Sequence, residues 1–162
     1  MDLSAQVRRS IDANRYLTLG TTGQNGRPWV SPVYFATDDH TDFYWMSSPE
    51  VTHSRNIAGR PDVSIVIFDS QVPPYTGAAS AVYLSATATE LAGSELERGV
   101  EIYPGPPERG ARAVTAAELR APSEYRLYRA RAYEHSVLCP RELGKPCGVH
   151  GRGYDHRTVV TL

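Results

Sequence analysis

The sequence has little net charge, few cysteines and no long apolar run, and each shortage excludes a class of protein. Its formal net charge is −1, whereas a nucleic-acid-binding domain usually carries a clear basic excess. No apolar run approaches the roughly 18 residues of a membrane span, and the N-terminal stretch lacks the apolar core of a secretory signal. Two cysteines among 162 residues suit a reducing compartment better than a disulfide scaffold. We therefore expect a cytoplasmic protein that binds neither nucleic acid nor a membrane.

Several phosphate-binding and catalytic motifs are also missing. The glycine-containing turn GQNGRP at residues 23–28 has neither the lysine pattern of a P-loop nor the spacing of a dinucleotide fingerprint. No serine lies in a G-x-S-x-G elbow, so a serine hydrolase has no support in the sequence.

Apolar periodicity predicts a mainly β fold of the α+β class, in one domain that spans residues 1–162. Leu3, Val7 and Ile11 recur every four residues and indicate an amphipathic helix over 3–13. Strands are predicted at 15–22, 27–37, 43–47, 62–69, 81–91 and 125–138, and one or two helices at 94–120. The first three strands are expected to form an antiparallel meander, with the second at an edge because Pro28 and Pro32 lack amide donors. About six such strands can close into a small barrel, and residues 139–162 are expected to form an irregular tail.

The connection between the third and fourth strands, SSPEVTHSRNIAG at residues 47–59, concentrates polar side chains on a short helix expected at 49–58. Ser48 suits the N-cap, Pro49 the first helical position and Gly59 the position after the last. The polar side chains are those of Ser47, Ser48, His53, Ser54, Arg55 and Asn56. Donors at a helix N-terminus form a ready anion site, and arginine can bind a phosphate through two hydrogen bonds. A phosphate site and an ordinary solvated helix are both consistent with these residue types.

Two further groups of residues have a functional and a structural interpretation. Aromatic and apolar residues at 29–35 and 43–46 could line a planar ring, although such strand residues more commonly belong to a core. The tail contains four side chains of zinc-ligand type, Cys139, Cys147, His150 and His156. Their spacing, Cys-x7-Cys-x2-His-x5-His, matches no familiar zinc finger. We therefore expect an ordinary polar tail and no metal site.

Taken in order, four segments resemble the pyridoxamine 5′-phosphate oxidase-like flavoproteins. They are residues 15–37, where a glycine turn leads into a valine–small–proline strand; 43–69, a strand, polar helix and strand; 82–91; and the closing strand at 125–140. The resemblance covers about residues 5–140 and implies a six-stranded antiparallel split β-barrel with flanking helices that forms a homodimer. It also implies flavin mononucleotide (FMN) in a groove between the subunits, and FMN-dependent oxidoreductase activity on a small molecule.

The resemblance implies roles for particular residues. The flavin phosphate would be held by Ser47, Ser48, Arg55 and Asn56, with His53 and Ser54 beside them. The isoalloxazine ring would lie on Val30, Ser31, Pro32 and Val33, and the strand leading to the phosphate would contribute Trp45 and Met46. Arginine stands here where relatives often have lysine, and it should still bind phosphate well.

The resemblance leaves the cofactor and the substrate open. Residues that recognise pyridoxal phosphate near the C-terminus of the true oxidases have no counterpart here, so vitamin B6 oxidation is not expected. The deazaflavin coenzyme F420, or haem in a non-catalytic binding protein or sensor, is the alternative to FMN. No acid–base residue is assigned: Tyr75, Tyr83 and His135 are candidates only as polar aromatics near strand ends or loops, where packing or surface roles are more common.

Overall fold

The computed structural model describes residues 2–73 and 80–162. The helices are α1 (Leu3–Ala13), α2 (Thr52–Gly59) and α3 (Gly93–Ile102), with short 3-10 turns at Pro107–Arg109 and Ala116–Leu119. The strands are β1 (Tyr16–Thr22), β2 (Pro28–Tyr34), β3 (Asp42–Ser47), β4 (Asp62–Phe68), β5 (Ala81–Glu90), β6 (Arg126–Leu138) and β7 (Arg157–Val160). None of the described helices is long and apolar enough to cross a membrane.

The strands form one antiparallel sheet in the order β2-β1-β4-β5-β6-β3, with β7 paired to β6. The predicted mainly β architecture is confirmed, and β2 lies at an edge as Pro28 and Pro32 require. The predicted meander of the first three strands is wrong, because β3 pairs with β6, from Asp42 opposite Arg131 to Ser47 opposite Arg126.

The two ends of the sheet approach each other without joining in a continuous ladder. Beyond β2, a single isolated bridge links Ala36 and Tyr44, through two backbone hydrogen bonds of 3.0 and 2.8 Å. The sheet is therefore a split barrel and not a closed one.

The hydrophobic core has two parts. The larger fills the curved sheet beneath α1, whose Val7 and Ile11 are fully buried beside the aromatic rings of Phe35, Phe43 and Trp45. The smaller lies under α3, where Gly99 allows the helix to approach β6: a Cβ there would lie 2.7 Å from Leu127 Cδ2. Alternating burial along β1 and β5 places every second side chain in these cores.

Two local expectations are corrected by the structure. Helix α2 begins at Thr52, with Val51 at the N-cap, because Ser48 Oγ instead accepts a hydrogen bond from the Glu50 amide in a turn before the helix. Gly59 is its last residue and not the one after the end. The tail is not wholly irregular: residues 157–160 form β7, opposite His135–Leu138 of β6. A four-residue strand carries too little periodicity to be read from sequence.

Candidate functional site

An open cavity of about 680 Å³ lies between the β1–β2 turn and α2. Its lining residues are Gly23, Gln24, Asn25, Arg27, Pro28, Trp29, Thr52 and Asn56. This volume is within the usual range for small-molecule pockets, about 300–1,000 Å³. The cavity is therefore large enough to bind a small molecule.

The β1–β2 turn that forms one wall is fixed by its own hydrogen bonds. The Gly23 amide donates to the Arg27 carbonyl at 2.9 Å, and the Gly26 amide to the Gly23 carbonyl at 2.8 Å. Gly26 has a φ of +79°, which favours glycine, and Asn25 Oδ1 accepts from the Arg27 amide at 3.1 Å. The turn thus presents Arg27 at the cavity from a defined backbone.

The opposite wall is the first half of α2. Thr52 is its first residue, so its amide belongs to the group of helix-terminal N–H donors that lack an intrahelical partner. One turn later, Asn56 Nδ2 donates to Thr21 Oγ1 at 2.9 Å and ties the helix to β1. Together with Arg27, these groups offer amide, hydroxyl and guanidinium donors, which is a donor set suited to an anion such as a phosphate.

A chain of hydrogen bonds, buried at Ser47 and exposed at Trp29, runs beside the cavity through His53. Its Nε2 lies 2.9 Å from Ser47 Oγ, and its Nδ1 lies 3.2 Å from Ser31 Oγ. The same Ser31 oxygen accepts a hydrogen bond from Trp29 Nε1 at 2.9 Å. The chain connects the end of β3, helix α2 and β2, and ends at Trp29 on the cavity wall.

Burial lowers the pKa of His53 from its usual value, because a charged imidazole loses hydration there. Its ring is therefore neutral near pH 7, with one nitrogen donating and the other accepting. A neutral imidazole can donate a hydrogen bond to one serine hydroxyl and accept one from the other, and it adds no fixed charge to the site.

The structure brings together some of the predicted site residues and separates others. Ser31, Ser47, His53 and Asn56 lie in the hydrogen-bonded group around α2. Val30 and Pro32 are exposed on β2, next to Ser31. Val33 and Trp45 are buried in the larger core, where Trp45 stacks on Tyr128. The partly buried Met46 packs against the smaller core, and Ser54 is buried on α2.

Arg55, the predicted phosphate ligand, has a different environment. Its side chain is 66% exposed, and its guanidinium donates to Glu50 Oε2 at 2.6 Å. It does not line the cavity, whereas Arg27 does. Sequence reasoning missed Arg27 and Thr52. The signal for Arg27 was its position directly after the glycine turn, but only the packing of that turn on α2 reveals its neighbours.

Of the three residues considered for acid–base roles, the two that the structure describes do not line this cavity. Tyr83 is covered by the Arg157 guanidinium, 3.7 Å above its ring. His135 is buried on β6 and its Nε2 lies 2.7 Å from the His40 carbonyl oxygen. Tyr75 lies outside the described residues.

Solved structures share this fold at low sequence identity. A haem-binding protein from Mycobacterium smegmatis matches 98% of this chain with 24% identity and a TM-score of 0.65, and the chain spans 58% of that protein's length. HutZ, the haem storage protein of Vibrio cholerae, matches 82% of this chain and 91% of its own, with 20% identity and a TM-score of 0.59. A FAD-binding protein from Mesorhizobium loti matches 83% of this chain and 90% of its own length, with 20% identity and a TM-score of 0.60. Proteins of this fold thus include flavin binders and haem binders.

The sequence also matches a family model. No curated protein matches the chain, but the model described as pyridoxamine 5′-phosphate oxidase matches residues 3–128. That range runs from α1 to the start of β6 and contains the whole cavity between the β1–β2 turn and α2. The chain therefore belongs to the pyridoxamine 5′-phosphate oxidase family.

Proposed function

We propose that this chain is a flavin-dependent oxidoreductase that binds FMN between the subunits of a homodimer and acts on a small molecule. The observation that carries the proposal is the donor-lined cavity between the β1–β2 turn and α2. Arg27, Thr52 and Asn56 would hold the phosphate there, because these three polar residues line the same opening. The bound flavin would supply the redox chemistry, and the protein would bind and orient it.

The exposure of the edge strand β2 supports the placement of the ring and the dimer. Trp29 on the cavity wall is 48% exposed, and Val30, whose side chain points to the opposite face of the strand, is 63% exposed. Large apolar side chains on an uncovered edge strand indicate a surface that another molecule covers. A flat ring lying against this strand would leave its second side open, and a second copy of the chain would close it. Most homo-oligomers are twofold dimers.

The phosphate assignment can be tested by comparing FMN with riboflavin, which lacks the phosphate. Arg27→Ala should weaken FMN binding by about 1.5–3 kcal/mol, roughly 10- to 150-fold, the value of a hydrogen bond to a charged group. The same variant should leave riboflavin affinity unchanged. Titration followed by quenching of flavin fluorescence measures both affinities.

Arg55→Ala is the matched control. Because the Arg55 side chain is exposed and paired with Glu50, we expect its loss to change FMN affinity by less than about 0.5 kcal/mol. If only Arg55→Ala weakened FMN binding, the phosphate ligand would be Arg55, the residue that the sequence suggests, and not Arg27. Equal affinity of wild-type protein for FMN and riboflavin would refute a phosphate site altogether.

Haem binding is the second candidate function. The haem-binding protein from Mycobacterium smegmatis matches 98% of this chain, tail included, so the similarity extends beyond the flavin-type cavity. The absorption spectrum of the purified protein, and titration with FMN, the deazaflavin F420 and haem in turn, distinguish the cofactors. Protein that takes up haem alone would favour a non-catalytic haem-binding role.

The dimer has its own test. Val30→Asp puts a charge on the exposed edge strand β2. Light scattering should then show a monomer, and titration should show reduced FMN affinity. Wild-type protein that is monomeric with FMN bound would refute an interfacial site.

A further inference from the structure

We propose that Cys139, Cys147, His150 and His156 bind a structural zinc ion. Cys139 directly follows β6 and His156 directly precedes β7, while Cys147 and His150 lie in the loop between these strands. The four ligand atoms all lie within 4.8 Å of one another. The proposal is independent of the flavin site, because the zinc ligands belong to the C-terminal connection, beyond the family match at residues 3–128.

The distances between ligand atoms match a tetrahedron around zinc. Bonds of about 2.3 Å to sulfur and about 2.05 Å to nitrogen would separate two sulfurs by about 3.8 Å, sulfur and nitrogen by about 3.6 Å and two nitrogens by about 3.3 Å. The Cys139 and Cys147 sulfurs are 3.4 Å apart. Cys139 Sγ and His150 Nδ1 are 3.6 Å apart. From Cys147 Sγ, His150 Nδ1 is 3.8 Å away and His156 Nε2 is 3.7 Å away. The two nitrogens are 3.2 Å apart. Five of the six edges are thus within about 0.4 Å of the expected values.

Backbone groups orient the ligands for this role. The His150 amide donates to Cys147 Sγ at 3.1 Å, a contact that stabilises a thiolate. His156 Nδ1 lies 3.0 Å from the Tyr154 carbonyl oxygen. An N–H at Nδ1 donating to that oxygen leaves Nε2 with its lone pair directed at the cluster, as zinc-bound histidines require. The Cys139 amide donates to the His156 carbonyl at 2.9 Å, which fixes the first and last ligands side by side.

A disulfide accounts for the cluster less well. Its sulfurs would have to approach to about 2.05 Å, against the 3.4 Å observed. A disulfide would also give the two imidazoles no reason to converge on the same point. Two cysteines and two histidines form one of the common zinc ligand sets. With both thiols deprotonated, the bound site is neutral overall, and zinc uptake releases whichever thiol protons the metal-free protein carries.

The zinc would hold residues 157–162, which are β7 and the two residues after it, against the rest of the domain. Strand β7 pairs with β6 directly beyond Cys139 and His156. After it, the Thr161 carbonyl accepts a hydrogen bond from Ser4 Oγ of α1 at 2.8 Å, and Val160 and Leu162 pack against the larger core. A four-residue strand is weak alone, and a metal that closes the preceding loop removes much of the entropy cost of placing it.

Metal analysis of protein purified without a histidine tag, under reducing conditions, tests the proposal. We expect about one zinc per chain, and replacement by cobalt should give the visible absorption of a tetrahedral thiolate site. Cys147→Ser and His156→Asn should each lower the zinc content at least tenfold. The matched control is His40→Asn, outside the cluster: His40 has a φ of +60°, which asparagine tolerates, and this variant should keep its zinc.

Hydrogen exchange supplies a readout that does not depend on the variants folding. Amides of β7 in wild-type protein should exchange at least tenfold faster after chelation, while those of β4 stay unchanged. The proposal is overturned if reduced, folded wild-type protein takes up neither zinc nor cobalt, if the cysteines are found as a disulfide without metal, or if His156→Asn retains full zinc content.

Discussion

The hydrogen bond between Ser47 and His53 allows a sharp test of how helix α2 is held on β3. Both residues are 9% exposed, and their Oγ and Nε2 atoms are 2.9 Å apart. Ser47→Ala removes this bond and leaves a buried imidazole nitrogen unpaired, so it should cost about 1–2 kcal/mol. His53→Ala also removes the 3.2 Å contact with Ser31 Oγ and leaves a cavity. It should therefore cost about 2–4 kcal/mol.

The double variant Ser47→Ala/His53→Ala gives the coupling energy between the two residues. Because both single variants remove the same bond, their costs should not add, and the coupling energy should be about 0.5–1.5 kcal/mol. Urea unfolding followed by tryptophan fluorescence, at one protein concentration, measures all four states of the cycle. An unchanged denaturant slope shows that stability itself changed. In thermal unfolding, each 1 kcal/mol should appear as a shift of about 2–4 °C.

Ser48 is the matched control for this cycle. It is adjacent to Ser47, but its hydroxyl accepts from the Glu50 amide and has no hydrogen bond to His53 among the described contacts. Ser48→Ala and His53→Ala should therefore be additive within about 0.3 kcal/mol. Equal coupling of His53 to both serines, or none to Ser47, would refute the hydrogen bond between Ser47 and His53.

Two further predictions concern pH and helix packing. The pKa of His53 is lowered in the folded protein from the usual 6.5. On acidification the unfolded chain therefore binds more protons than the folded one. The contribution of His53 to stability should be complete above about pH 6.5 and be lost as the pH falls through the pKa of the folded protein. Unfolding measured from pH 8 to 5 should show this loss in wild-type protein, and an equally steep loss in His53→Ala would assign it to other groups. Gly99→Ala should destabilise the protein by about 1–2 kcal/mol although alanine favours helices, because its Cβ would lie 2.7 Å from Leu127 Cδ2 and 2.9 Å from Leu91 Cδ1. Gly59→Ala, where nothing lies within 4 Å of the added Cβ, is the control in urea unfolding, and equal effects of the two substitutions would contradict the close approach of α3 to β6.

Short-range patterns predicted the elements well where local chemistry alone decides them. The four-residue spacing of Leu3, Val7 and Ile11 marks α1, whose Val7 and Ile11 are buried as expected. Proline in β2 places that strand at an edge, because a missing amide cannot serve an inner ladder. The start of α2 was misplaced by three residues, since Ser48 and Pro49 suit a helix cap and the preceding turn equally well.

Long-range pairing could not be predicted in the same way. Strand β3 is nearest in sequence to β2, yet it pairs with β6, where Asp42 meets Arg131 across the sheet. Adjacent strands joined by a short polar turn favour a meander, and nothing in the local pattern of residues 35–41 opposes it. The choice rests on the curvature of the whole sheet around its core.

The sequence by itself determined the family, the order of most elements and the polar character of α2, because these depend on residue type and on spacing along the chain. Only the tertiary structure decided which side chains meet. Folding the β1–β2 turn against α2 puts Arg27 at the cavity and leaves Arg55 with Glu50. Pairing β7 with β6 brings Cys139 and His156 together at the base of one loop. Both outcomes follow from contacts between segments far apart in the chain, which spacing along the sequence does not encode.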